Sequence, residues 1–96
     1  MTIQNGRQQG TLVVCGELDV IGKPALCTAV RQALRERPAD VVLDVGGVSF
    51  IDAQGLSALV VSHLMTVRAG GRLRLVAVPL LMARLLRLTG LDHILL

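Results

Sequence analysis

Few residues of this chain have the chemistry to act on a substrate. The candidates are Asp44 and Asp52, His63 and His93, Cys15 and Cys27, the hydroxyls of Ser49 and Ser57, and the single lysine, Lys23. A phospho-acceptor aspartate works with an acidic pair after the first strand and a lysine late in the sheet. Lys23 is too early, so Asp44 and Asp52 lack that support. Neither histidine has metal-ligand spacing with a cysteine or an acid. There is no GxSxG elbow, HExxH pair or GxxxxGK[ST] loop, and the glycines of "DVGGVSF" do not lie between a strand and a helix as a phosphate loop requires. The expectation is a protein that is not an enzyme and carries no cofactor or metal.

The polar residues concentrate instead at one junction, "FIDAQGL", Phe50 to Leu56, where a strand runs into a helix. Asp52 is placed as an N-cap: its carboxylate can accept from a free amide of the first turn and favours the positive end of the helix dipole. Gly55 costs about 1 kcal/mol of helix propensity relative to alanine. A glycine there permits close approach of another backbone, and the expected occupant of that room is a partner.

The elements that hold this junction alternate in type. Thr2 to Gln4 reads as a short strand, Asn5-Gly6 and Gly10 as turns, and "TLVVCGEL" (Thr11 to Leu18) as a strand rich in β-branched residues. Gly22 and Pro24 suit the start of a helix. From Ala25 to Arg37, Leu26, Ala29, Val30, Ala33 and Leu34 share one face, which predicts an amphipathic helix stopped at Pro38. "DVVLDV" (Asp40 to Val45) reads as a central strand, interrupted by Gly46-Gly47 and continued by Val48 to Ile51. The next helix runs from about Asp52 to a left-handed stop at Gly70-Gly71. "RLRLVAV" (Arg72 to Val78) is a strand, Pro79 to Thr89 a helix closed by Gly90, and "HILL" (His93 to Leu96) a short final strand or tail. The predicted order is β-β-α-β-α-β-α-β. The fold class is α/β, a small mixed and mostly parallel sheet of four to five strands flanked by helices, in one domain over 1–96.

Composition narrows the function. The chain has 96 residues, 52% of them hydrophobic and only 1% aromatic, so aliphatic side chains build the core and base-stacking platforms are missing. Net charge is +3, but the arginines are scattered and form no run that would track a phosphate backbone. Nucleic acid is not an expected partner. Cys15 and Cys27 read as small buried hydrophobes in a reducing cytoplasm rather than as a disulfide. There is no signal-peptide pattern at the N-terminus and no apolar run of the roughly 18 residues that would span a bilayer. No membrane insertion is expected, and the expected location is cytoplasmic.

The faces of two helices point to a protein partner. At 100° per residue, Leu56, Leu59, Val60, His63, Leu64 and Val67 gather on a predicted core face, with His63 a hydrogen-bonded structural histidine. Ala58, Val61, Ser62 and Met65 gather opposite, with Ser57 at the margin, and this nearly uncharged stripe reads as a contact surface. In the last helix the leucines and Met82 surround Arg84 and Arg87, too many apolar residues for one buried face. A partner is expected there, and a homodimer is one form of it.

Four pieces in order, "GELD" (Gly16 to Asp19), "VVLDVGGVSFIDAQGL" (Val41 to Leu56), "AGGRLRLV" (Ala69 to Val76) and "RLLRLTGLDHIL" (Arg84 to Leu95), resemble a STAS domain of the anti-sigma factor antagonist type. The resemblance covers nearly the whole chain and implies a bacterial regulator in partner switching. Such a protein binds an anti-sigma factor, usually a serine kinase, and so releases a sigma factor. In the family a serine or threonine at the start of the central helix is then phosphorylated and the complex breaks. The pattern acid, small residue, hydroxyl residue, glycine, apolar residue falls here on Asp52, Ala53, Gln54, Gly55 and Leu56. The acceptor position is therefore Gln54, which has no hydroxyl, and neither Ser49 nor Ser57 matches it. By the same resemblance Asp19 lies near the kinase-contacting surface and Asp52 beside the acceptor. The implied docking set is Asp19, Asp52, Ala53, Gln54, Gly55, Ser57, Ala58, Val61, Ser62 and Met65, without the usual phospho-switch. The alternative is a STAS subunit that docks on the ATPase of a lipid transport complex.

Overall fold

The computed structural model describes residues 1–36 and 40–96. It contains β1 (Thr2–Asn5), β2 (Thr11–Leu18), α1 (Gly22–Glu36), β3 (Val41–Ile51), α2 (Ala53–Arg68), β4 (Leu73–Val76), α3 (Leu80–Leu88) and α4 (Asp92–Leu95). The four strands form one sheet in the order β1-β2-β3-β4. β1 and β2 make an antiparallel hairpin, and β2, β3 and β4 run parallel. Each parallel step moves the chain one place in the same direction. Right-handed crossovers therefore put α1 and α2 on the same face of the sheet.

Burial alternates along the strands as a half-covered sheet requires. Leu12, Val14, Val41, Leu43, Val45, Leu73 and Leu75 are buried, and the registers Leu12↔Leu43 and Leu43↔Leu75 place them on one face. Leu26 and Val30 of α1, Leu59 of α2, Met82 and Leu86 of α3 and Leu95 of α4 complete the core. Fully burying one such leucine stabilises the fold by about 1.5–3 kcal/mol. Cys15 is half-buried, Cys27 is buried, and both are free thiols. Among the described residues no helix is long and apolar enough to cross a membrane.

Two helices end in the same way. Gly70 and Gly90 take the left-handed conformation, with φ of 86° and 75°. Their amides bond Val67 O and Arg87 O, while the following amides of Gly71 and Leu91 bond Thr66 O and Leu86 O. This pair of bonds satisfies carbonyls that a helix end otherwise leaves open.

The structure corrects several expectations. β3 is continuous through Gly46-Gly47. A Cβ on Gly47 would lie 2.5 Å from Cys15 Sγ, so this glycine lets the neighbouring strand pair closely. α1 is regular from Gly22, ahead of the expected Ala25, while the expected end at Arg37 and Pro38 lies outside the described residues. The chain closes with a helical turn, α4, in place of a strand, so the order ends α-α. In a strand, His93 would share a face with Leu91 and Leu95. The helical turn brings Leu91 and Leu95 to the core one turn apart and leaves His93 exposed.

α2 is also turned differently. Its buried stripe is Gly55, Ala58, Leu59, Ser62 and Thr66. Of the predicted core face only Leu59 is fully buried; Leu56, Val60 and His63 are half-buried, and Leu64 and Val67 are exposed. The true stripe is rotated about a third of a turn, toward the smallest residues of the helix. Small side chains let α2 lie close to the sheet and to α1, and that closeness outweighs the larger apolar residues beside them. His63 Nδ1, expected to be hydrogen-bonded, is buried with no partner among the described residues.

Candidate docking face

The first turn of α2 is built from four consecutive residues with distinct tasks. Asp52 has extended backbone, and its Oδ1 accepts from Gly55 N at 3.0 Å. Its carbonyl accepts from Leu56 N at 2.9 Å. Ala53 and Gln54 lie between them and are exposed. Gly55 is buried, and a Cβ there would overlap Leu18 O and lie 2.8 Å from Ile51 Cγ1. The room at Gly55 is thus taken by the end of β2, not by a partner.

The first turn of α1 repeats this arrangement. Asp19 Oδ1 accepts from Gly22 N at 2.9 Å and from Ile21 N at 3.0 Å. The Asp19 carbonyl accepts from Lys23 N at 2.8 Å. Gly22 is buried, and a Cβ on it would lie 2.6 Å from Glu17 O. Val20 and Ile21, between acid and glycine, are 63% and 82% exposed. Each helix therefore starts with Asp-x-x-Gly, in which a charged acceptor closes the first turn and the glycine seats it against the sheet.

A side-chain bond joins these two turns. Lys23 Nζ donates to Ser57 Oγ at 2.9 Å, linking α1 to α2 one turn below the exposed tips. Together with the contact of Gly55 on Leu18, this bond holds the two turns side by side. The shared surface presents Val20, Ile21, Ala53 and Gln54, flanked by half-buried Asp19, Asp52, Lys23 and Ser57. It offers an apolar knob, an amide and fixed charges. Its one lysine and the Ser57 hydroxyl are bonded to each other, and no cluster of metal-ligating side chains occurs among the described residues.

The expected site residues divide cleanly. Asp19, Asp52, Ala53, Gln54 and Ser57 come together at this end of the molecule. Gly55 belongs there as an internal spacer. Ala58 and Ser62, read as part of an outer contact stripe, are fully buried, because the small residues of α2 face inward. Val61 and Met65 are half-buried and pack on the core. Sequence reasoning misses Val20, Ile21 and Lys23 as contributors. The signal for them is the repeat of Asp-x-x-Gly in "DVIG" and "DAQG", which equal spacing makes visible once both helices are known to begin there.

Residues 1–96 match the family model described as "Mlab, STAS domain". The anti-sigma-B factor antagonist of Bacillus subtilis (strain 168) is 33% identical over 81 residues, which cover 84% of this chain and 73% of that protein. The crystal structure of an anti-sigma factor antagonist from Mycobacterium paratuberculosis superposes with a TM-score of 0.78 at 30% identity, covering 98% of this chain and 81% of the other. The Bacillus cell fate determinant SpoIIAA in its phosphorylated form has the same fold, with a TM-score of 0.73 at 18% identity and coverage of 99% and 89%.

Proposed function

The chain belongs to the STAS family, and from that premise we propose that it is an anti-sigma factor antagonist whose docking face is the paired helix starts at Asp19 and Asp52. The partner is an anti-sigma factor of the serine-kinase type. Val20 and Ile21 supply its apolar anchor, and Ala53 and Gln54 the neighbouring contact at the start of α2. One observation carries the reading: the exposed tips of the two turns form one surface, tied by the Lys23–Ser57 bond, in a protein 33% identical to a named antagonist.

The same geometry speaks to regulation. A phosphate adds about −1.5 to −2 charge and three acceptor oxygens, which at a helix N-terminus changes both charge and hydrogen bonding. Gln54 is exposed at that position but has no hydroxyl to esterify. The protein thus engages its partner without the phosphorylation that releases it at this position.

The test is a binding titration with the purified anti-sigma factor, followed by incubation with ATP and intact-mass measurement. Tight binding, weakened at least about tenfold by Ile21→Asp, is expected, since a charge must then be desolvated at the contact centre. The mass should stay that of the unmodified chain, whereas Gln54→Ser should gain one phosphate. A stoichiometric adduct on the unaltered chain would overturn the no-switch reading, and unaltered affinity of Ile21→Asp would overturn the docking face. Recovery of an ATPase of a lipid transport complex in place of an anti-sigma factor would move the same face to that partner.

A further inference from the structure

A second surface lies where β3 outruns β4. β4 pairs with β3 only from Val41↔Leu73 to Asp44↔Val76. Ala77 then turns the chain with a φ of 56°, and α3 leaves beside the sheet. β3 continues to Ile51, paired on its other side with β2. Asp44 Oδ1 accepts from Gly46 N at 3.0 Å, two residues beyond the last pair. From Gly47 to Ile51, β3 makes no further backbone bond outside the sheet among the described residues. Alongside this edge runs a groove of about 510 Å³ between β3 and α3, lined by Phe50, Leu80, Leu81, Met82, Leu85 and, as the one charged side chain among the described residues, Arg84. Phe50, Leu80 and Leu81 are 51%, 65% and 72% exposed.

We infer that the Gly47–Ile51 edge and the groove beside it bind an extended segment of another protein, apolar at alternating positions and carrying a carboxylate for Arg84. Each part of the surface selects this occupant. Main-chain donors and acceptors on a strand edge are satisfied by another extended main chain, which a helix or an acyl chain does not offer. An added strand points alternate side chains to one side, into the apolar groove. The single guanidinium matches one carboxylate in a two-pronged bond. A second copy fits less well: α3 brings Arg84 and Arg87 and no acid, so two copies meeting at this groove set like charges together. The inference stands independently of the anti-sigma factor reading, which concerns the helix starts at Asp19 and Asp52.

The experiment uses the full chain and a fluorescein-labelled peptide alternating valine with glutamate, read by fluorescence anisotropy. Saturable binding is expected, reduced about tenfold or more by Leu81→Asp and by Arg84→Glu, equivalent to about 1.4 kcal/mol each. Both side chains are exposed, and far-UV circular dichroism checks that the variants stay folded. A peptide N-methylated at alternate amides should lose binding, because it cannot pair with the edge. Gln32→Lys, an exposed change on α1, should bind as the unaltered chain does. The proposal is overturned by absence of saturable binding, by binding that survives N-methylation, or by binding to the two groove variants that equals binding to the unaltered chain. A dimer in sedimentation that Leu81→Asp dissociates would assign the groove to a second copy and overturn it as well.

Discussion

The turns that open α1 and α2 share a plan and differ in what they carry. Leu18-Asp19-Val20-Ile21-Gly22-Lys23-Pro24 aligns with Ile51-Asp52-Ala53-Gln54-Gly55-Leu56-Ser57. In both, the aspartate side chain bonds the amide three residues on and its carbonyl bonds the amide four residues on. The first turn places two large apolar residues at its tip and follows with Pro24, which has no N–H for the Val20 carbonyl. The second places small and polar residues at its tip and follows with Ser57, so α2 is regular from Ala53. One plan thus yields an adhesive tip and an adjustable tip. On the proposed docking face the aspartates and glycines build the frame, and the residues between them are its exposed part.

Substitutions at matched positions separate the two turns. The largest effect is expected at Gly55→Ala, where the new Cβ overlaps the Leu18 carbonyl oxygen and neither side can yield. A loss of about 3 kcal/mol is expected from overpacking, read as a lower denaturant midpoint at unchanged slope. Gly22→Ala should cost less, about 2 kcal/mol, because the contact with Glu17 O, at 2.6 Å, is looser and the other neighbour, Met1 Sδ, is flexible. Equal losses at the two glycines would mean that the seats are equivalent and would remove the distinction in tightness. Asp52→Ala should lower stability by about 1 kcal/mol, roughly 4–8 °C in melting temperature for a domain of this size. Asp19→Ala should cost at least as much, since its carboxylate serves two amides. Smallest is Lys23→Met, which deletes the tie to Ser57 for about 0.5 kcal/mol. Its sharper readout is hydrogen exchange, which should quicken at the first turns of both helices if the bond couples them.

Much of this architecture is legible from local signals. Turn glycines, β-branched runs and prolines at helix starts locate seven of the eight elements, because each signal acts within a few residues. The misreadings share a cause. Hydrophobicity alone assigns α2 the wrong core face, since Gly55, Ala58 and Ser62 are inside because the sheet and α1 come close. That closeness depends on chain segments far away in sequence. Gly55 does read correctly as room for another backbone, but the backbone is Leu18, thirty-odd positions earlier. The final "HILL" is too short to show a period, and the helical turn goes with Leu91 and Leu95 reaching the core one turn apart. At the site, Asp52 is readable as a cap from its neighbours. Lys23 is not, since its partner Ser57 is brought near only by the crossover.

Ala77 has a consequence for engineering. It is the one non-glycine residue with positive φ among those described, and a side chain in that region costs about 1–2 kcal/mol. Its Cβ also faces Gly46, whose own missing Cβ would approach it to 3.2 Å. The bend that ends β4 and opens the β3 edge therefore carries the backbone strain of Ala77. Ala77→Gly relieves that strain while keeping the bend. A small rise in melting temperature is the expected outcome, since relieved strain of about 1–2 kcal/mol exceeds the roughly 0.4–1 kcal/mol that glycine's freer unfolded chain costs.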